Sequence, residues 1–330
     1  MIKNTLIAIS ILLVGCTPAD TPPPGPPEPL TLAYTLQPES ALIHIALDRD
    51  YFKQEGLEIK PQQHSFGKAA LQAVIEGKAD LATAAETPIM LSILNGKPLA
   101  IISTIVTTGE NNAVIGRRDS GINSAKDLKG KRIGYTAGTT GDFFLHALLN
   151  ANGLAREQVT LINLKPDDML AALQNGQISA TSTWNYPLQH IKQTLGNNAI
   201  AFVDREVYTQ TFNVVASPSY TKANPEAIKR FLRALLKAEK FLTENQAEAQ
   251  AIKARVTQTE LATVRALWSG FQHRVQLQPT LLFTLEDQAR WAIKSQLTRQ
   301  TEVPNYLDHI RADYLLALKP DVVRISQFAP

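Results

Sequence analysis

The sequence predicts an α/β protein of two lobes, each a sheet flanked by helices. Three observations carry this. From Leu30 onward, short apolar runs alternate with segments of helical spacing, the rhythm of βαβ units and of parallel strands joined by crossover helices. The rhythm occurs twice: ALQAVIEGKADLATAAETP (70–88) and LAALQNGQISATSTWNYP (170–187) align at one offset, placing Gly77 on Gly176, Ala85 on Trp184, Glu86 on Asn185 and Pro88 on Pro187. Upstream, Leu32-Ala33-Tyr34 answers Ile133-Gly134-Tyr135, and Gly56-Leu57 answers Gly153-Leu154. Finally, the chain after about Asn224 reads mostly helical, as an extension that packs back on the first lobe.

The elements follow in order. Residues 1–15 have the anatomy of a secretory signal: Lys3 in a polar start, then the uncharged apolar run Thr5–Val14, too short to span a bilayer as a helix. Leu13-Val14-Gly15-Cys16 resembles a bacterial lipobox, in which the cysteine carries lipid and becomes the new N-terminus. An ordinary signal peptide with an incidental cysteine is the simpler alternative. Cys16 is the only cysteine, so an intramolecular disulfide is excluded and the fold rests on its apolar core. Residues 17–29 are proline-rich, an extended linker reaching roughly 40 Å at about 3.1 Å per residue. Loss of residues 1–15 removes Lys3 and takes the formal charge from +3 to +2 (3 − 1). That balance is too weak to suggest nucleic acid or a polybasic membrane patch.

Leu30–Tyr34 is the first strand. Ala41–Gly56 is helical, with Leu42, Ile45, Ala46 and Phe52 on one face and Gly56 as its stop. Leu57–Ile59, Lys68–Glu76, Asp80–Ala85 and Pro88–Leu94 continue as strand, helix, strand and helix. Asn112–Gly116 and Phe212–Ala216 read as strands that carry the chain out of the first lobe and back, forming a two-stranded hinge. The expected division is therefore 30–112 plus 217–330 for lobe 1 and 117–211 for lobe 2, with hinge strands 113–116 and 212–216. Asn224-Pro225 starts a long helix, Asn at N-cap and Pro at N1, with Ile228, Phe231, Leu232, Leu235, Leu236 and Leu242 as its apolar stripe.

Several stretches together resemble the substrate-binding proteins of ABC importers with the type II periplasmic fold, in the group for nitrate, alkanesulfonates, taurine and the thiamine-precursor pyrimidine. They are DRDYFKQEGLEI (48–59), the two repeat segments, DLKGKRIGYTAGTTGDFFLHALL (127–149) and ANPEAIKRFLRALLKAEKFL (223–242). The resemblance implies two lobes of mixed sheet, a helical C-terminal extension on lobe 1, a monomer, and an ABC permease and ATPase as partners. It implies a lipid-anchored, extracytoplasmic location and capture of a small polar solute or oxyanion, without cofactor or enzymatic activity. Binding of a heterocyclic vitamin precursor, or tethered reception for signalling, is the alternative. A pyrimidine-synthase-like activity fits least, because the cysteine-rich iron motif of those enzymes is missing.

Ligands of parallel α/β sheets bind beyond the carboxyl ends of the strands. The residues there are Gln37 after the first strand, Glu86 and Thr87 after the third, and Gly138, Thr139, Thr140 and Asp142 between a strand and a helix of lobe 2. Glycines, two hydroxyls and free amides at a helix N-terminus suit an anion, and the resemblance places the oxyanion group here; an ordinary N-cap is the simpler reading. Trp184 and Asn185 form the matching loop of lobe 2, with Trp184 offering an apolar face and one donor. Asn213 lies beside the expected hinge. Glu86 and Asp142 would repel a simple oxyanion and suit a zwitterion or N–H-bearing heterocycle, unless they are engaged elsewhere. The six histidines form no metal-ligand spacing, no zinc site is expected, and neither a GxSxG elbow nor a nucleotide loop is present.

Overall fold

The computed structural model describes residues 26–325. The segment 1–15, Cys16 and linker residues 17–25 lie outside the described residues. The first strand begins at Glu28, two residues before its expected start at Leu30.

In chain order the strands are β1 (Glu28–Thr35), β2 (Leu57–His64), β3 (Leu81–Ala85), β4 (Ala100–Thr108), β5 (Asn112–Arg117), β6 (Arg132–Tyr135), β7 (Thr160–Asn163), β8 (Ala180–Trp184), β9 (Ala199–Phe202), β10 (Gln210–Ala216) and β11 (Gln272–Gln276). One sheet is ordered β11-β4-β10-β3-β1-β2, the other β7-β6-β8-β5-β9. Without β11 the two orders are the same, with β1 matching β6, β2 matching β7 and β3 matching β8. The repeat seen in the sequence is thus a repeat of topology.

β1 pairs in parallel with β2 and β3, and β6 with β7 and β8. The strand beside each of these trios comes from the other half of the chain. β5 leaves the first sheet and inserts antiparallel between β8 and β9; β10 returns and inserts antiparallel between β3 and β4. Each enters from the inter-lobe side, so its N-terminal end meets the C-terminal ends of its neighbours: Asn112 opposes Trp184, and Phe212 opposes Ala85. Strands 112–116 and 212–216 therefore do not form the expected two-stranded ribbon. Each is needed to complete a different sheet, and the passages between sheets are the short segments 109–111 and 203–209.

The expected helix over 41–56 splits into Ala41–Asp48 and Tyr51–Gln54 at Asp50, whose φ is 55°. Helix Pro225–Glu244 starts at Asn224 as predicted, but the side chain donates to the Tyr220 carbonyl at 3.2 Å and does not cap. Its stripe buries Ile228, Phe231, Leu232 and Leu235, with Phe231 stacked on Phe52 at 5.0 Å between ring centroids. The extension also contains β11, which extends the first sheet beyond β4. Its antiparallel pairing places it on lobe 1.

The main apolar core fills lobe 1 and continues into helix Thr140–Ala151 of lobe 2. There Phe143 sets its ring edge-on against Tyr208 and Trp291, 5.2 Å from each. A smaller core around Ile115, Met169, Leu173, Leu188 and Ile191 packs the far face of the second sheet.

Candidate functional site

The strand exchange brings the C-terminal ends of β1, β3, β6 and β8 to one seam. On lobe 1, the loop after β1 carries Gln37 and Glu39. Gln37 stands at the rim, its amide 3.4 Å from the Ser65 carbonyl, and lines a cavity of about 450 Å³ with His64, Phe66, Asp167 and Tyr186. Glu39 is buried and crosses the seam. It accepts from Asn111 Nδ2 at 2.8 Å, from Asn185 Nδ2 at 2.9 Å to both oxygens, and from Gln210 Nε2 at 3.2 Å. Burial raises its carboxyl above the ordinary carboxylate range, and these bonds oppose the shift.

The loop carrying Glu39 is held from beneath by Lys253 of helix Gln246–Thr257. Its ammonium donates to the Gln37 carbonyl at 2.6 Å and meets His44 Nδ1 at 3.1 Å. Burial pushes the Lys253 amine well below its usual range and, with Lys253 beside it, pushes His273 down to about 3.

After β3, Glu86 opens helix Glu86–Leu94 with its carboxylate turned inward. Four donors reach it: the Tyr208 hydroxyl, Gln288 Nε2 at 2.9 Å, the Thr211 amide at 2.8 Å and the Thr211 hydroxyl at 3.1 Å. Burial raises its carboxyl and holds the Tyr208 phenol well above its usual range. Asn213 joins this network through Thr211 and accepts from Thr104 at 2.7 Å. The adjacent Thr87 hydroxyl is buried beside the Tyr208 phenol.

On lobe 2, the 136–142 turn is tied by its own side chains. Thr139 donates to the Thr136 carbonyl at 2.7 Å, and Asp142 accepts the Gly138 amide at 2.9 Å. Gly138 has φ +67°, and a Cβ there would lie 3.1 Å from Lys68 Nζ and 3.0 Å from Leu91. The second Asp142 oxygen pairs with Arg156 at 2.9 Å. Burial raises the Asp142 carboxyl, with Arg156 as the main opposing influence. Thr140 and Gly141 head helix Thr140–Ala151, where first-turn amides have no partner within the helix. The Trp184 ring packs over Gly141, whose Cβ would meet it at 3.3 Å.

The predicted residues therefore fall into groups. Trp184 meets the 138–141 turn, Glu86 and Asn213 share one network, and Asn185 joins Glu39. Gln37 stays at the rim. Asp142 and Glu86 are both spent on partners inside the protein. Sequence reasoning missed Glu39, Tyr208, Gln288, Arg156, Lys253 and Lys68. Lys68, from helix Gly67–Ile75, donates across the seam to the Ala137 carbonyl at 2.8 Å. Glu39 had a signal, its place in the loop that follows the first strand; the others reach the seam from other elements.

Two strand-exchanged mixed sheets with their loops on one seam define a type II periplasmic-binding-protein fold. The solved alkanesulfonate-binding protein of Xanthomonas axonopodis pv. citri, bound to MOPS, shares it with a TM-score of 0.72 at 19% identity, over 87% of this chain and 99% of that one. The chain belongs to the NMT1/THI5 like family, whose model matches residues 37–249. A Bacillus subtilis protein provisionally named as aliphatic sulfonates-binding is 27% identical over 251 residues, 74% of each chain. The taurine-binding periplasmic protein of Escherichia coli is 23% identical over 215 residues, 64% of this chain and 65% of its own.

Proposed function

We propose that the protein is an extracytoplasmic solute-binding protein that captures a small anionic or zwitterionic solute, of the sulfonate or taurine kind, between its lobes and hands it to an ABC importer. The observation that carries this reading is the engagement of both acidic residues near the anion turn. Asp142 is neutralised by Arg156, and Glu86 is saturated by four donors. Neither carboxylate is left to oppose an anion at the head of helix Thr140–Ala151, and Lys68 adds a cation beside Gly138. Gln37, Thr87, Gly138, Thr139, Thr140 and Trp184 are the residues proposed to face the solute. Glu86, Asp142, Asn185 and Asn213 shape the site from behind.

Segments 109–111 and 203–209 are the proposed hinge, and solute contacting both lobes would favour the closed arrangement through its differential affinity. Chemistry on the solute is not part of the reading; release and transport fall to the permease and ATPase. Among the described residues no helix is long and apolar enough to cross a membrane. Lipid on Cys16 is proposed to hold the clamp to the membrane, since each buried CH₂ adds about 0.8 kcal/mol and two or three chains anchor stably.

A thermal-shift screen of alkanesulfonates, taurine, nitrate and the thiamine pyrimidine tests the substrate class. A true ligand at 100 times its Kd stabilises by about 2.7 kcal/mol. A shift with the pyrimidine alone, or with none, overturns the anion reading. Cys16→Ser should free the protein from membranes with affinity intact; retained anchoring refutes the lipid role.

A further inference from the structure

A cavity of about 580 Å³ lies away from the anion turn, on the hinge side of the seam. Its walls come from every part that moves in the clamp reading. Asn111 and segment 203–206 belong to the two passages between sheets. Asn185, Leu188 and Lys192 belong to a lobe 2 helix, and Leu267 and Phe271 to the C-terminal extension on lobe 1. We propose that this groove is a second binding site, for a zwitterion of amino-acid or dipeptide size with N–H donors at one end, a carboxylate at the other and apolar surface between.

The donor end follows from two carboxamides. Asn111 and Asn185 are both 4% exposed and both line the groove. Each gives its Nδ2 to Glu39, which is not part of the wall. A carboxylate only accepts, so the nitrogen must face it. The oxygen of each amide is then left without a donor and is closed off from solvent, a costly arrangement that ligand N–H groups would relieve once the two side chains turn their oxygens to the groove.

The anionic end follows from Lys192. It is half-buried, burial lowers its amine from the usual range, and among the described residues it has no carboxylate partner. The other charges of the rim are mostly engaged: Arg205 pairs with Glu110 at 2.9 Å, and Asp204 accepts the Glu206 and Val207 amides at 3.0 and 3.3 Å. Glu206 is exposed at the rim. Leu188, Leu267 and Phe271 supply the apolar wall.

An occupant that touches both lobes and both passages would favour the arrangement that builds its site. That consequence, unlike the site itself, rests on the clamp reading above.

Calorimetric titration of the mature chain with L-leucine and with glycyl-L-leucine tests the proposal. At least one probe is expected to bind, Lys192→Met to weaken it tenfold or more, and Lys192→Arg to restore it. The Arg variant keeps the test decisive should the Met variant fold poorly. No heat with either probe, or binding that survives Lys192→Met, overturns the site. So does binding abolished by Lys68→Met, which would place the probe at the anion turn. A sulfonate screen that fails while leucine binds would refute the anion reading and leave this site standing.

Discussion

The two lobes reach the seam with the same topology and opposite ways of keeping a carboxylate there. Lobe 1 buries Glu39 and Glu86 among neutral donors: carboxamides, hydroxyls and one backbone amide. Lobe 2 buries Asp142 against a backbone amide and the Arg156 guanidinium. Burial raises all three carboxyls, but only Asp142 has a cation as its leading opposition. The difference teaches that equivalent strand ends need not carry equivalent charge. Lobe 2 offers a turn whose acid is paired with a cation, and lobe 1 two acids held by neutral donors that span the passages between sheets.

Removing the cation should break the lobe 2 arrangement most. Arg156→Met leaves Asp142 buried and unpaired and should cost about 3 kcal/mol, as expected for halving a buried pair; urea unfolding measures it, and a loss under half of that would deny Arg156 its part. On lobe 1, each donor carries only a share. Tyr208→Phe should cost about 1–2 kcal/mol, the penalty for withdrawing one donor from a buried acceptor, with a shifted urea midpoint as readout. Lys68→Met should weaken sulfonate or taurine binding about tenfold, close to 1.4 kcal/mol, without moving the urea midpoint; unchanged affinity would remove Lys68 from the site.

The smallest effect concerns pH. A carboxyl raised in the folded state binds its proton more tightly there than in the unfolded chain. Its stabilising contribution is complete below the unfolded value, 4.5, and is lost as pH rises through the folded value. Stability of the wild type relative to Glu86→Gln should therefore grow as pH falls from neutrality towards 4.5. Unfolding curves of the two proteins across that window measure the trend, and a gap that shrinks towards acid would contradict a raised Glu86. His44 and His273 act in the opposite sense. Burial lowers both, so their contribution is present above the ordinary value of 6.5 and falls away below it, in both proteins alike.

Much of this architecture was legible in the sequence. The strand and helix rhythm, the offset repeat and the positions of Glu86 and Trp184 at strand ends and of Asp142 at a helix start depend on local spacing, and local spacing is what a linear chain records. The exchange of β5 and β10 left no local trace, because a strand's periodicity does not say which sheet will pair with it. Asn185 illustrates the same limit: its place after β8 marked it for the seam, while its bond to Glu39 joins residues 146 apart.

The sequence by itself therefore determined the α/β class, the doubling of the lobes and the turns that line the seam, since these follow from hydrophobic period and turn chemistry. The tertiary structure decided which charges are spent and which are offered. Arg156 cancels Asp142, Tyr208 and Gln288 occupy Glu86, and Lys68 reaches Ala137. The physical reason is that burial and pairing set the cost of a charge, and both are properties of neighbours brought together only by the fold.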